Sequence, residues 1–197
     1  MIKDTTRFQK AIERFDEENS KDPNQEVYKG QEISKELLYA IRMTEWLTRV
    51  SSEASKPLQL AARSQHICRW TIPRESYPMD RKGYLLWRTE LKNFHAETAS
   101  GILEECGYDP ATIDRVKSLI LKRRMKADPE SQALEDVVCL VFLEYYFEDF
   151  MAKHEPEKVV SIVRKTWNKM SELGQQHALA LEFGNESNQL IARALNE

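Results

Sequence analysis

Apolar residues recur along most of this chain at helical spacing, three and four positions apart, and no segment alternates with the period of a strand. Phe8, Ala11, Ile12 and Phe15 form one stripe over residues 5–19. Leu37, Leu38, Ile41, Trp46 and Leu47 form a second over 33–50. A polar stretch with Pro23 separates them and reads as a loop over 20–30. Pro57 suits a first helical turn and opens a third helix that should reach about Trp70. The connection over 71–83 carries two prolines and no stripe. From Tyr84 a long helix is expected to Cys106, with Gly107 as its stop. Asp109-Pro110 and Asp128-Pro129 are N-cap and first-turn pairs that announce two more helices. Pro156 opens another, running past Trp167 to Met170 with Gly174 as its stop, and a short helical tail follows.

The segment Val137 to Leu143 is apolar around its whole circumference, so its helix, about 134–150, should be buried on most sides. The expectation is an all-α, single-domain helical bundle over 1–197 built around that helix. Only 13 of 197 residues are Gly or Pro, in keeping with long helices. The apolar run is too short to span a bilayer, and residues 1–19 lack the apolar core of a secretory leader. Cys68, Cys106 and Cys139 are odd in number, without CxxC spacing, and sit in apolar patterns as small core residues. A cytoplasmic protein without a disulfide framework is expected. The net charge of −3 provides no general polycation, so duplex nucleic acid and membrane surfaces are not expected partners.

Polar residues on inward stripes mark the candidate chemistry. His66 continues Leu58 and Ala62 toward Trp70, and His95 lies between Leu91 and Ala99. Asp136 falls well inside the central helix, where a carboxylate needs a cation, a metal or hydrogen bonds. His66, His95 and Asp136 could hold a divalent metal, or form a buried hydrogen-bonded network without one. Between the histidines, residues 69–92 gather Arg69, Arg74, Arg88 and Lys92 with Trp70, Tyr84 and Trp87. Arginine forks suit phosphate and the aromatics can stack, so this segment is a candidate clamp for a small anionic or phosphorylated ligand. A solvated loop anchored by its aromatics is the competing reading. A second basic run over 117–126 reads as a solvated face at a helix end.

The pieces RMTEWL (42–47), LAARSQHICRW (60–70), IPRESYP (72–78), GYLLWRTELKNFHAE (83–97) and LEDVVCLVFLEYYFEDF (134–150) resemble an uncharacterised family catalogued as a domain of unknown function. Some of its members carry a glutamyl-tRNA synthetase label. No HIGH-type or KMSKS-type signature and no Gly-rich nucleotide-binding unit occurs here, so that activity is not expected. A more distant similarity is to the HD superfamily of metal-dependent phosphohydrolases. It implies an HD-like fold and a divalent metal activating water against a phosphorylated or nucleotide-like substrate. LAARSQHICRW looks like the helix of the His-Asp pair, which is here Gln65-His66 or His66-Ile67. Tyr39 or Arg42 stands where a first His is expected, and Lys122 falls near another. The resemblance retains His66, His95 and Asp136. It implies a divergent phosphohydrolase or, alternatively, a non-catalytic module binding an anionic ligand or a partner.

Overall fold

The computed structural model describes residues 2–123 and 127–196 and is an all-α bundle with one small hairpin. Helix α1 (Ile2–Ser20) buries Ala11 and Phe15 from its expected stripe. Strands β1 (Gln25–Tyr28) and β2 (Gln31–Ser34) then pair antiparallel, with Tyr28 opposite Gln31. This corrects the loop reading. Lys29 and Gly30 both take positive φ, 52° and 80°, which is the backbone a two-residue hairpin turn requires. The strands are four residues each and largely polar, so they carry no alternation to read.

Helix α2 (Lys35–Val50) starts at Ser34, whose side chain does not cap it; Asp22 supplies the acceptor for the Glu36 amide instead, at 3.1 Å. Helix α3 (Lys56–Arg63) is capped by Ser55 and ends seven residues before Trp70. The chain then turns through residues 64–80 in short 3-10 segments. Helix α4 (Arg81–Glu105) starts earlier than expected because Asp80 accepts from the Gly83 amide at 2.7 Å. A Cβ at Gly83 would stand 2.0 Å from the Pro78 carbonyl oxygen, so only glycine lets the loop fold back here.

Gly107 ends α4 as expected, with the Tyr108 amide reaching the Leu103 carbonyl. Helices α5 (Pro110–Ile120) and α6 (Pro129–Tyr145) begin at Asp109 and Asp128 as read. Residues 124–126 of the second basic run lie outside the described residues. Of its described part, Lys117 pairs with exposed Glu97 and Lys122 turns inward. Helix α6 breaks at Tyr146, leaving α7 (Phe147–Met151) as a separate turn. Helix α8 (Pro156–Trp167) stops short of Met170, and Ser171 caps α9 (Glu172–Leu179). Gly174 is therefore inside a helix rather than at a stop. Helix α10 (Asn185–Asn196) closes the chain.

Leu134, Val137, Leu140 and Val141 of α6 are fully or almost fully buried, and α2, α3, α5 and α9 pack around that helix. One apolar cluster runs through α1–α6 and α9. A smaller cluster of Phe147, Val159, Val160, Val163 and Ala194 joins α7, α8 and α10.

Candidate functional site

The turn after α3 builds the site. Cys68 takes a left-handed conformation, φ 55°, and its amide donates to Asn19 Oδ1 at 3.1 Å from the end of α1. That bend presents the Ile67 carbonyl to α4, where His95 Nδ1 meets it at 2.7 Å. A carbonyl oxygen only accepts, so Nδ1 carries the proton and His95 Nε2 keeps a bare lone pair. Burial, opposed by the Ile67 hydrogen bond and aided by Arg69, lowers the His95 pKa to about 4, so the ring is neutral near pH 7.

His66 lies in the turn, not on a helix. Its ring stacks on Tyr39 of α2, with centroids 4.1 Å apart, and lies 5.8 Å from the His95 ring. Burial, then Arg69, His95, Lys122 and Arg88, hold its pKa well below the ordinary value. On its other side, Glu36 Oε2 approaches His66 Nδ1 to 3.8 Å, too long for a hydrogen bond. Glu36 is 7% exposed, and burial raises its carboxyl to about 7 despite the opposing pull of Arg69.

A two-lobed cleft opens around these groups, with His66, Arg69 and Val138 as its shared wall. The basic lobe, about 220 Å³, is faced by His95, Arg88, Lys92 and Lys122 over a floor of Trp87 and Leu91. The second lobe, about 320 Å³, is lined by Tyr39, Phe142, Tyr146 and Phe150, with Glu36 and Lys35 as its polar groups. Buried Gln65 Oε1 and His66 Nδ1, both from basic-lobe residues, have no hydrogen-bond partner among the described residues. Such orphans are uncommon in native proteins and mark places where a ligand or water completes the network.

The expected residues divide sharply. Arg69, Arg88 and Trp87 line the basic lobe together with both histidines. The Trp87 indole donates to the Ile72 carbonyl at 2.9 Å and carries the Arg69 guanidinium 5.3 Å above its ring. Arg74 is occupied by its own loop, donating to the carbonyls of Tyr77, Pro78 and Asp80. Trp70 packs half-buried against the core.

Asp136 is not brought to the histidines. It accepts from the Ser171 amide at 2.8 Å, from the Ser171 hydroxyl and from Gln132 at 3.0 Å. Two positions on a helix are about 200° apart, so when Val138 faces the cleft Asp136 faces away. Neighbouring Glu135 is also buried, at 4% exposure, and pairs with Lys122. Lys122 sits at φ 56° just past the end of α5, a left-handed position that turns its side chain inward. Sequence reasoning missed Glu36 altogether. In the first turn of α2 it reads as a dipole-compatible surface residue, and only the fold buries it.

Residues 9–191 match the family described as a domain of unknown function, DUF4202. The chain belongs to the DUF4202 family. No curated protein and no solved structure matches this DUF4202 chain.

Proposed function

We propose that this protein binds a small phosphorylated ligand in the basic lobe, with Arg69 and Arg88 as its phosphate contacts, Trp87 carrying the Arg69 guanidinium and Tyr84 that of Arg88. One observation carries the reading. Arg69, Arg88 and Lys92 face one cavity, and none of them is ion-paired with a described carboxylate, whereas Lys122 beside them is neutralised by Glu135. Arg69, Lys92 and Lys122 are half-buried and Arg88 is exposed, so the lobe is a half-open electropositive cleft, and charge-assisted hydrogen bonds to an anion are strongest at its inner, Arg69 side.

The metal set implied by the HD resemblance does not fit these residues. Asp136 is committed to Ser171, and the cations around His66 oppose a further one.

A second reading, hydrolysis of the same ligand, is favoured by the bare Nε2 of His95. His95 lines the lobe that would hold the phosphate, and Nε2 is the ring nitrogen that Ile67 leaves free to accept a proton from water or from a ligand hydroxyl there. A cytoplasmic setting suits both readings, since Cys68, Cys106 and Cys139 are buried free thiols.

Titration calorimetry and thermal unfolding with inorganic phosphate and ribose 5-phosphate test the proposal. Both should bind and raise the melting temperature, with about 2.7 kcal/mol of added stability at a hundredfold excess over Kd. Arg69→Ala and Arg88→Ala should each weaken binding by about tenfold or more. Absence of any shift with either anion would sink it. Phosphate release lost in His95→Ala would establish the second reading. One equivalent of divalent metal, lost in the same variant, would reinstate the HD-type site.

A further inference from the structure

The second lobe is built differently from the basic one. Its walls are Tyr39, Phe142, Tyr146 and Phe150, a set of flat rings held in place by contacts of their own. Tyr39 is stacked on His66, and Phe142 packs edge-on to Phe150 with centroids 5.7 Å apart. The Tyr146 hydroxyl accepts from Arg42 at 2.9 Å, and Arg42 is itself fixed to Glu26 of the hairpin at 3.0 Å. Walls so braced make a preformed slot.

Into this apolar slot the fold places a carboxylate. Neither oxygen of Glu36 accepts a hydrogen bond from a described residue. An ionised carboxylate only accepts, and leaving it buried without donors is costly. A hydrophobic ligand would not relieve that cost; one with N–H groups on its edge would. Lys35, beside Glu36 at the lobe, adds a donor suited to a carbonyl oxygen. Both lobes meet at His66 and Arg69, and their combined volume lies in the range of small-molecule sites, about 300–1,000 Å³.

We propose that the second lobe takes the heteroaromatic ring of the phosphorylated ligand, with N–H donors on the ring edge received by Glu36 and the ring faces packed between Tyr146, Phe142 and Phe150. The ligand class is thereby a mononucleotide or a similar ring-bearing phosphate, not a sugar phosphate. This assignment rests on the phosphate reading of the basic lobe.

Calorimetry on the full chain with inorganic phosphate, ribose 5-phosphate and GMP separates the two. GMP offers two N–H groups on one edge beside a carbonyl. It should bind at least about tenfold tighter than ribose 5-phosphate, because a site built to receive N–H groups discriminates against ligands lacking them. Glu36→Gln should erase that advantage while ribose 5-phosphate binds as before, and Phe150→Ala should weaken GMP several-fold. GMP binding no tighter than ribose 5-phosphate overturns the ring assignment and leaves the phosphate reading standing. Equal loss of both ligands in Glu36→Gln also overturns it, because Glu36 would then act on the basic lobe through His66. Failure of all three probes removes the phosphate reading, and this inference with it.

Discussion

Burial raises the Glu36 carboxyl from an ordinary 4.5 to about 7, with Asp22 and Glu26 adding to the effect and Arg69 and Lys35 opposing it. The consequence for stability has a definite sign. Between pH 4.5 and 7 the folded chain holds a proton on Glu36 that the unfolded chain has released, so protonation favours the fold. That advantage is full below pH 4.5, is lost progressively as pH rises from 4.5 through 7, and above 7 the native state carries the full cost of a buried charge. A shift of this size corresponds to roughly 3 kcal/mol. Glu36→Gln cannot ionise and should match the wild type near pH 4.5 but exceed it by up to roughly 3 kcal/mol at pH 8. Urea unfolding at the two pH values measures the gap. A wild type equally stable relative to the variant at both would show that Glu36 carries no such burden.

At the scale of elements, Asp136 and Gly174 tie α9 to the central helix. The Asp136 carboxylate receives the amide and hydroxyl of Ser171, and that hydroxyl in turn caps α9 by accepting from the Gly174 amide at 3.1 Å. Asp136→Ala should cost about 2–3 kcal/mol, since it removes the buried acceptor that holds the half-buried Ser171 cap. The shift in melting temperature produced by phosphate should survive. Unchanged stability with lost phosphate binding would return Asp136 to the site. Gly174→Ala should cost about 1–3 kcal/mol, because its Cβ would fall 2.7 Å from Asp136 Cγ and force the pair apart.

These elements also show what a sequence can reveal. Asp109, Asp128 and Gly107 act on their own helix ends, so local pattern suffices to place α5, α6 and the end of α4. His95 was legible for the same reason, lying on a continuous stripe of α4. The spacing Leu58, Ala62, His66, Trp70 misled because the helix stops at Arg63, and the turn is fixed by Asn19, 49 residues earlier. Glu36 was opaque, and Lys122 was marked only by the HD resemblance while its own basic run read as a solvated face, because a packed helix and a left-handed backbone, neither local in origin, turn ordinary surface residues into a cleft.

At the scale of the whole molecule, two apolar clusters of unequal size share a seam. The larger spans α1–α6 and α9, while the smaller holds α7, α8 and α10, and Phe142 and Phe183 pack against both. Phe142 and Phe150 at that seam also belong to the second lobe or its rim, so the proposed ring would rest where the clusters meet. Stability in proteins is parcelled into cooperative units, and a unit with few buried contacts opens at a lower free energy than the global one. Native-state hydrogen exchange should therefore show α8 and α10 opening together, below the free energy at which α2 and α6 exchange. A ligand that bridges the seam binds only the closed form and raises the cost of that opening by mass action. Saturating GMP should slow exchange in α7 and α8 more than saturating inorganic phosphate, which engages the basic lobe alone. Protection of α8 and α10 equal to that of α6 without ligand would mean that the clusters unfold as one. The seam could not then couple the occupied lobe to the C-terminal helices.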